Sequence, residues 1–280
     1  MRRGRRAGAV ALVLACTGIA LAPGAASAAP AAAAPATADC LTDTGAKGLA
    51  SSPVADSLIS VGRADGRTAQ FQLFYDRTAT RGLPFVWHRE QDEPGGAYGP
   101  WERVGAATVG PKSYAITAVE NSTGDLELLF STYGSFCRTV ENDSGDGWSA
   151  PDDFGLAPMP YHGGVVLFKE RNGSIDAFAD GSRSGSAMQV RHQEDADAGW
   201  GPVGSMGQVP EPGVNLGQPT AVEQLPDGRL HVVAQEWNRV RMWEVYQSEP
   251  GGGWGPWQRQ STGPASIGPK AAATAGSAGR

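Results

Sequence analysis

Two fifteen-residue stretches of this chain are close copies of one another. Trp87 to Trp101 reads WHREQDEPGGAYGPW, and Trp243 to Trp257 reads WEVYQSEPGGGWGPW. Nine of the fifteen positions are identical, and the offset of 156 residues is three spans of 52. Two degenerate copies fall between them, ENDSGDGWSAP from Glu141 to Pro151 and QEDADAGWGP from Gln193 to Pro202. Their loop aromatics, Tyr98, Trp148, Trp200 and Trp254, follow at spacings of 50, 52 and 54. A period of this size is the mark of a repeat architecture, in which one unit cannot bury its apolar faces alone.

Two more markers recur upstream in each unit. One is a Gly turn leading into a strand-like run: DGRTAQFQLF at Asp65, GDLELLF at Gly124, NGSIDAF at Asn172 and DGRLHVV at Asp227. Asp-Gly and Asn-Gly between apolar runs are hairpin signals, because the favoured turns need φ > 0 at their central residues. The other is an apolar strand before that turn: SLISV at Ser57, YAITAV at Tyr114, GVVLF at Gly164 and TAVEQL at Thr220. Each unit therefore reads as a four-stranded antiparallel meander. Repeated meanders of about 50 residues predict an all-β fold, a β-propeller whose aromatics fill the gaps between blades. A β-sandwich is the competing architecture, but it leaves the 156-residue offset unexplained. The blades are expected near 57–109, 110–160, 161–215 and 216–267, with Gly268-Pro269-Lys270 repeating Gly110-Pro111-Lys112 as the opening of a fifth over 268–280. That opening predicts either a blade completed elsewhere or a truncated chain. Composition agrees with the architecture: 39 Gly and 20 Pro in 280 residues argue against an all-helical chain.

The N-terminus reads as an address. Arg2, Arg3, Arg5 and Arg6 precede an apolar run from Ala7 to Ala22, and Ala26-Ser27-Ala28 is a small-x-small cleavage site. Residues 1–28 are thus expected to be a signal peptide, and 29–56 an Ala/Pro-rich leader and tail, on a secreted protein. Removing the signal leaves 19 basic against 29 acidic residues, a net charge of −10. Nucleic acid is not expected as a partner, since phosphate binding needs a basic face. No stretch has the apolar length of a membrane span. Cys40 and Cys137 remain after cleavage, and in an exported chain a disulfide between them is the default, with two free thiols as the alternative.

The unit strand–DGRL–strand–WHR–loop–PGGGWGPW resembles the blades of PLL-like β-propeller lectins, which are bacterial and fucose-binding, and more loosely tectonin-type propellers. The likeness runs over about Leu58 to Gln260 and is strongest at Asp227–Trp257. The second and third units have Cys137 and Gln189 where the others have a strand Trp. The resemblance implies shallow sugar sites between blades, with no cofactor and no metal. There an aromatic ring covers the C–H face of a sugar and polar groups meet its hydroxyls. The matching positions are Trp87, His88, Arg89, Tyr98 and Trp101 in the first unit, and Trp243, Glu244, Trp254 and Trp257 in the fourth. Trp148 and Trp200 match in the middle units. Blade-to-blade core is the competing role for each Trp. Strand alternation places Trp87 and Arg89 on one face and His88 on the other, so these side chains do not share one site. Trp237, in EWNR, is a further exposed-aromatic candidate.

Enzymatic signatures are thin. His88, His162, His192 and His231 form no HExxH, and neither a CxxC nor a G-x-S-x-G occurs. The acidic loop residues Asp92, Glu93, Asp143, Asp146, Glu194, Asp195, Asp197 and Glu249 read as solvated turns rather than a Ca²⁺ site. The function expected from sequence is a non-catalytic, multivalent lectin for glycans, fucosylated or methylated sugars among them, with oligomerisation open. A secreted glycosidase or lyase, or a protein-binding scaffold, is the alternative. Paired carboxylates for the former are a three-dimensional property that a sequence does not display.

Overall fold

The computed structural model describes Cys40 and residues 52–75, 83–110, 115–132, 135–142, 147–156, 164–180, 187–193, 199–237 and 241–260. The expected signal peptide and the fifth-unit opening at 268–280 lie outside these residues. So do Asp143, Asp146, His162, Glu194, Asp195 and Asp197.

Every described element is a strand, and the strands form four antiparallel sheets. The first has β1 (Ser52–Pro53), β2 (Ile59–Gly62), β3 (Thr68–Tyr75), β4 (Pro84–Glu90) and β5 (Glu102–Thr108). The second has β6 (Ile116–Glu120), β7 (Leu126–Ser131), β8 (Phe136–Val140) and β9 (Asp152–Asp153). The third has β10 (Val165–Lys169), β11 (Ile175–Ala179), β12 (Gln189–His192) and β13 (Gly204–Ser205). The fourth has β14 (Leu216–Gln224), β15 (Leu230–Glu236), β16 (Met242–Tyr246) and β17 (Gln258–Arg259). Strand order follows chain order within the last three sheets. The first strands sit beside one another in series, β2 by β6, β6 by β10 and β10 by β14. This is the blade arrangement of a β-propeller.

The repeat markers explain the blades. Gly66, Gly124, Gly173 and Gly228 all have φ near +90°, between +89° and +94°, at the same hairpin turn. Only glycine takes that conformation without steric cost. The residue before it often holds the turn: Asp65, Asn172 and Asp227 each accept a backbone N–H from two residues on. A second recurring device closes the outer loop. Gln91, Glu141, Gln193 and Gln247 each bridge to the loop aromatic of their own blade, Tyr98, Trp148, Trp200 and Trp254. In three blades the same side chain accepts the first N–H of the second strand, from Thr68, Leu126 and Leu230. The amide or carboxyl end therefore satisfies a strand-edge donor that packing would otherwise orphan.

The first blade starts earlier than its expected boundary, because β1 pairs with the far end of β3 through Ser52↔Tyr75 and Pro53↔Phe74. Two residues carry no periodicity, so sequence had no signal for it. The tail is also tied down covalently. Cys40 and Cys137 form a disulfide, with Cα atoms 5.8 Å apart.

Candidate functional site

The loop aromatics of the second, third and fourth blades pack backwards, each against the preceding blade. Trp148 meets Phe71 edge-on at 5.8 Å, Trp200 meets Phe154 at 4.7 Å, and Trp254 meets Phe178 at 5.9 Å. Each junction therefore has an indole from one blade facing the second and third strands of the blade before it. What fills the rest of the junction depends on two cross-strand pairs. The first pair is Phe71↔His88, Leu129↔Arg138, Phe178↔Val190 and Val233↔Glu244 in successive blades. The second is Ala69↔Glu90, Glu127↔Val140, Asp176↔His192 and His231↔Tyr246.

Side-chain contacts span the first two junctions. His88 lies 5.7 Å from Trp148, ring to ring. Glu127, fully buried, accepts the Trp200 indole N–H at 2.6 Å and pairs with Arg138 at 2.6 Å. The third junction is underfilled. Asp176 is one methylene shorter than Glu127, and Val190 replaces the long Arg138. A cleft of about 180 Å³ remains there, lined by Asp176, Val190 and His192 of the third blade and by Gln247, Gly252 and Trp254 of the fourth. The PGGGWGPW loop forms its far wall. A Cβ on Gly252 would lie 3.0 Å from the Glu249 carbonyl oxygen, so the loop can pass there only as glycine.

The polar wall is tightly arranged. Asp176 is 1% exposed, and its Oδ1 lies 2.9 Å from Nδ1 of His192. Its Oδ2 is buried with no hydrogen-bond partner. Glu170 stands behind, 3.8 Å from His192 Nδ1, and Gln224 donates to it at 2.8 Å. Burial, reinforced by the charge of Asp176, holds the Glu170 carboxyl well above the usual carboxylate range.

The sequence-derived candidates fall into three groups. Trp254 lines the cleft, and Trp148 and Trp200 occupy the first two junctions. Trp243 and Trp257 are each 2% exposed and lie in the core cluster that joins the third and fourth blades. Their indoles donate to Glu236 and to the Met206 carbonyl. Trp87 is buried at the far end of the first blade, where Phe74 packs on both it and Trp101. The Arg89 guanidinium stacks there on Tyr98 and Trp101 at 4.7 and 4.5 Å. His88 faces the opposite side, as strand alternation requires. Glu244 pairs with His231 on the trailing face of the fourth blade. Trp237 is 46% exposed, away from the cleft. Sequence reasoning passed over Asp176, His192 and Gln247. An alignment of the four repeats holds one signal, Val190, the shortest side chain in a column with His88, Arg138 and Glu244.

His88 provides a pH test of the first junction. Burial, with the nearby Arg63 charge, pushes its imidazole down to about 4. The folded state thus favours neutral His88, and this contribution is complete above pH 6.5 and is lost as pH falls toward 4. The loss reaches up to about 3 kcal/mol. Urea unfolding of the wild type and of His88→Phe, followed from pH 7 to pH 4, is expected to show the wild type losing up to about 3 kcal/mol more than the variant on acidification. Parallel curves would remove His88 from the account.

No family model and no curated protein matches this chain. Solved structures do match at the level of the fold. A protein of unknown function from Dyadobacter fermentans aligns with a TM-score of 0.52 at 10% identity, over 73% of this chain and 68% of that one. The NanB sialidase of Streptococcus pneumoniae aligns with a TM-score of 0.53 at 8% identity, over 80% of this chain and 54% of the sialidase. A point mutant of the same sialidase aligns with a TM-score of 0.54 at 9% identity, over 79% and 53%. The chain therefore spans about half the length of the sialidase structures it matches. One expectation is corrected here. The sequence was read as non-catalytic, but the solved structures that share this fold include a sialidase, so the architecture is one on which glycoside hydrolysis is carried out. Among the described residues, no helix is long and apolar enough to cross a membrane.

Proposed function

We propose that this protein acts on glycans and holds a saccharide in the cleft between its third and fourth blades. The observation that carries this reading is the composition of the cleft walls. An indole, Trp254, stands on one side, and a buried carboxylate with a free oxygen, Asp176, stands on the other beside His192. A sugar ring presents an apolar face to the first and hydroxyl donors to the second. A volume of about 180 Å³ suits one monosaccharide residue rather than a long chain. The position between neighbouring blades is also the one that the resemblance to PLL-like lectins implies. The Cys40–Cys137 disulfide fits the export that the N-terminal sequence leads us to expect, since such bonds persist in oxidising compartments.

A second reading is hydrolysis of the bound glycan. Asp176 favours it, because this buried carboxylate has a second one, Glu170, beside it, and glycoside hydrolysis uses a pair of carboxyl groups. The fold shared with a sialidase supports it further. One experiment tests both. The full chain is screened on a glycan array, and the best binders are then incubated with it and assayed for released sugar. Trp254→Ala is expected to weaken binding at least tenfold, and Asp176→Asn to weaken binding and abolish any release. Array binding untouched by either substitution would move the site elsewhere.

A further inference from the structure

The topology brings together three metal-ligating side chains that sequence spacing did not connect. Glu170 directly follows β10, Asp176 lies on β11, and His192 ends β12. Their donor atoms all lie within 4.8 Å of one another. We propose that Glu170, Asp176 and His192 form a divalent-metal site at the edge of the inter-blade cleft.

Four observations carry the assignment. The two carboxylates are almost fully shielded, with side chains 5% and 2% exposed. Two adjacent buried carboxylates repel unless they share a proton or a cation. Among the described residues no Lys or Arg pairs with either, and the only side chain that ion-pairs with them is His192. Asp176 Oδ2 is buried and accepts no hydrogen bond from a protein N–H or O–H, which leaves it able to ligate an ion. The spacings suit a cation: His192 Nδ1 stands 2.9 Å from Asp176 and 3.8 Å from Glu170. Donors about 2.0–2.2 Å from one ion lie roughly 3 Å apart, so small side-chain shifts suffice. The surrounding residues orient the site as well. Gln224 and Ser174 donate to Glu170, and such outer contacts fix ligating carboxylates.

Two carboxylates with one imidazole select a borderline first-row cation, Zn²⁺ or Mn²⁺, over Ca²⁺, which takes oxygen ligands alone. Asp176 and His192 also line the cleft, so the remaining coordination positions of the ion open toward it. A second acid–histidine group among the described residues does not compete. His231 uses opposite ring nitrogens for Glu223 and Glu244, so those three groups do not converge on a point.

The test is independent of any glycan. The full chain, stripped with a chelator, is dialysed against ZnCl₂, MnCl₂ or CaCl₂, and bound metal and thermal unfolding are measured. One equivalent of Zn²⁺ or Mn²⁺ and a raised melting temperature are expected. His192→Gln and Glu170→Gln are each expected to weaken binding at least tenfold, while His231→Gln leaves it unchanged. His192 is half-buried, so its variant provides a folded control if Glu170→Gln unfolds. A folded wild type that binds no metal would overturn the proposal. So would Zn²⁺ binding that survives both substitutions, or a preference for Ca²⁺ that His192→Gln does not alter.

Discussion

Replacing Cys137 with Ser is expected to lower the melting temperature by roughly 10 °C or more. The disulfide joins Cys40 to Cys137 across 97 residues, enclosing the whole first blade and half of the second. Opening a loop of that length restores chain entropy to the unfolded state worth about 4–5 kcal/mol. A chain of this size moves by about 2–4 °C per kcal/mol. Cys137 is also fully buried among Val54, Leu128 and Phe130, so Ser adds the cost of burying a hydroxyl. Cys40→Ser separates the two contributions. It breaks the same bond from a half-buried tail position and is expected to retain most of the loss. A melting temperature equal to the wild type in Cys40→Ser, or no response to reductant, would exclude this role for the bond.

Trp257→Ala is expected to destabilise by about 3–5 kcal/mol without changing glycan affinity per folded molecule. The Trp257 indole is enclosed in the cluster that joins the third and fourth blades, with Met188, Met206 and Trp243 as neighbours. Its N–H donates to the Met206 carbonyl at 3.0 Å, across 51 residues of sequence. Removing the ring leaves both a cavity and an unsatisfied acceptor. Trp254→Ala predicts the opposite balance, with a smaller loss of stability and a large loss of binding. Denaturant unfolding and glycan titration on both variants measure the two quantities. Equal effects of the two substitutions on affinity would contradict the division between a core Trp and a cleft Trp three residues apart.

That division shows which part of this protein its sequence displays. The blades were legible because the hairpin glycines and the PGG–W–GPW loops recur near every 52 residues, and each recurrence has a local cause. Gly228 must take a positive φ, and Gln247 must satisfy the Leu230 N–H. The direction in which each loop aromatic packs was not legible. Trp200 and Trp254 occupy the same position in their blades, yet one is sealed by Glu127 and the other faces open space. The difference comes from Asp176 and Val190, side chains on the preceding blade more than 60 residues away in sequence from Trp254. A single strand read alone gives no sign of it. The Glu170–Asp176–His192 cluster was hidden for a related reason. Its residues come from the turn after β10 and from β11 and β12, at intervals of six and sixteen residues that only the hairpin register brings together.

The most direct test of the account is a crystal structure of the full chain soaked with the sugar that binds most tightly on the array. The account predicts density for the sugar in the cleft between the third and fourth blades, with its C–H face on the Trp254 indole and a hydroxyl on Asp176. Density for the sugar at another junction, or on the Arg89–Tyr98–Trp101 stack with this cleft empty, would contradict it.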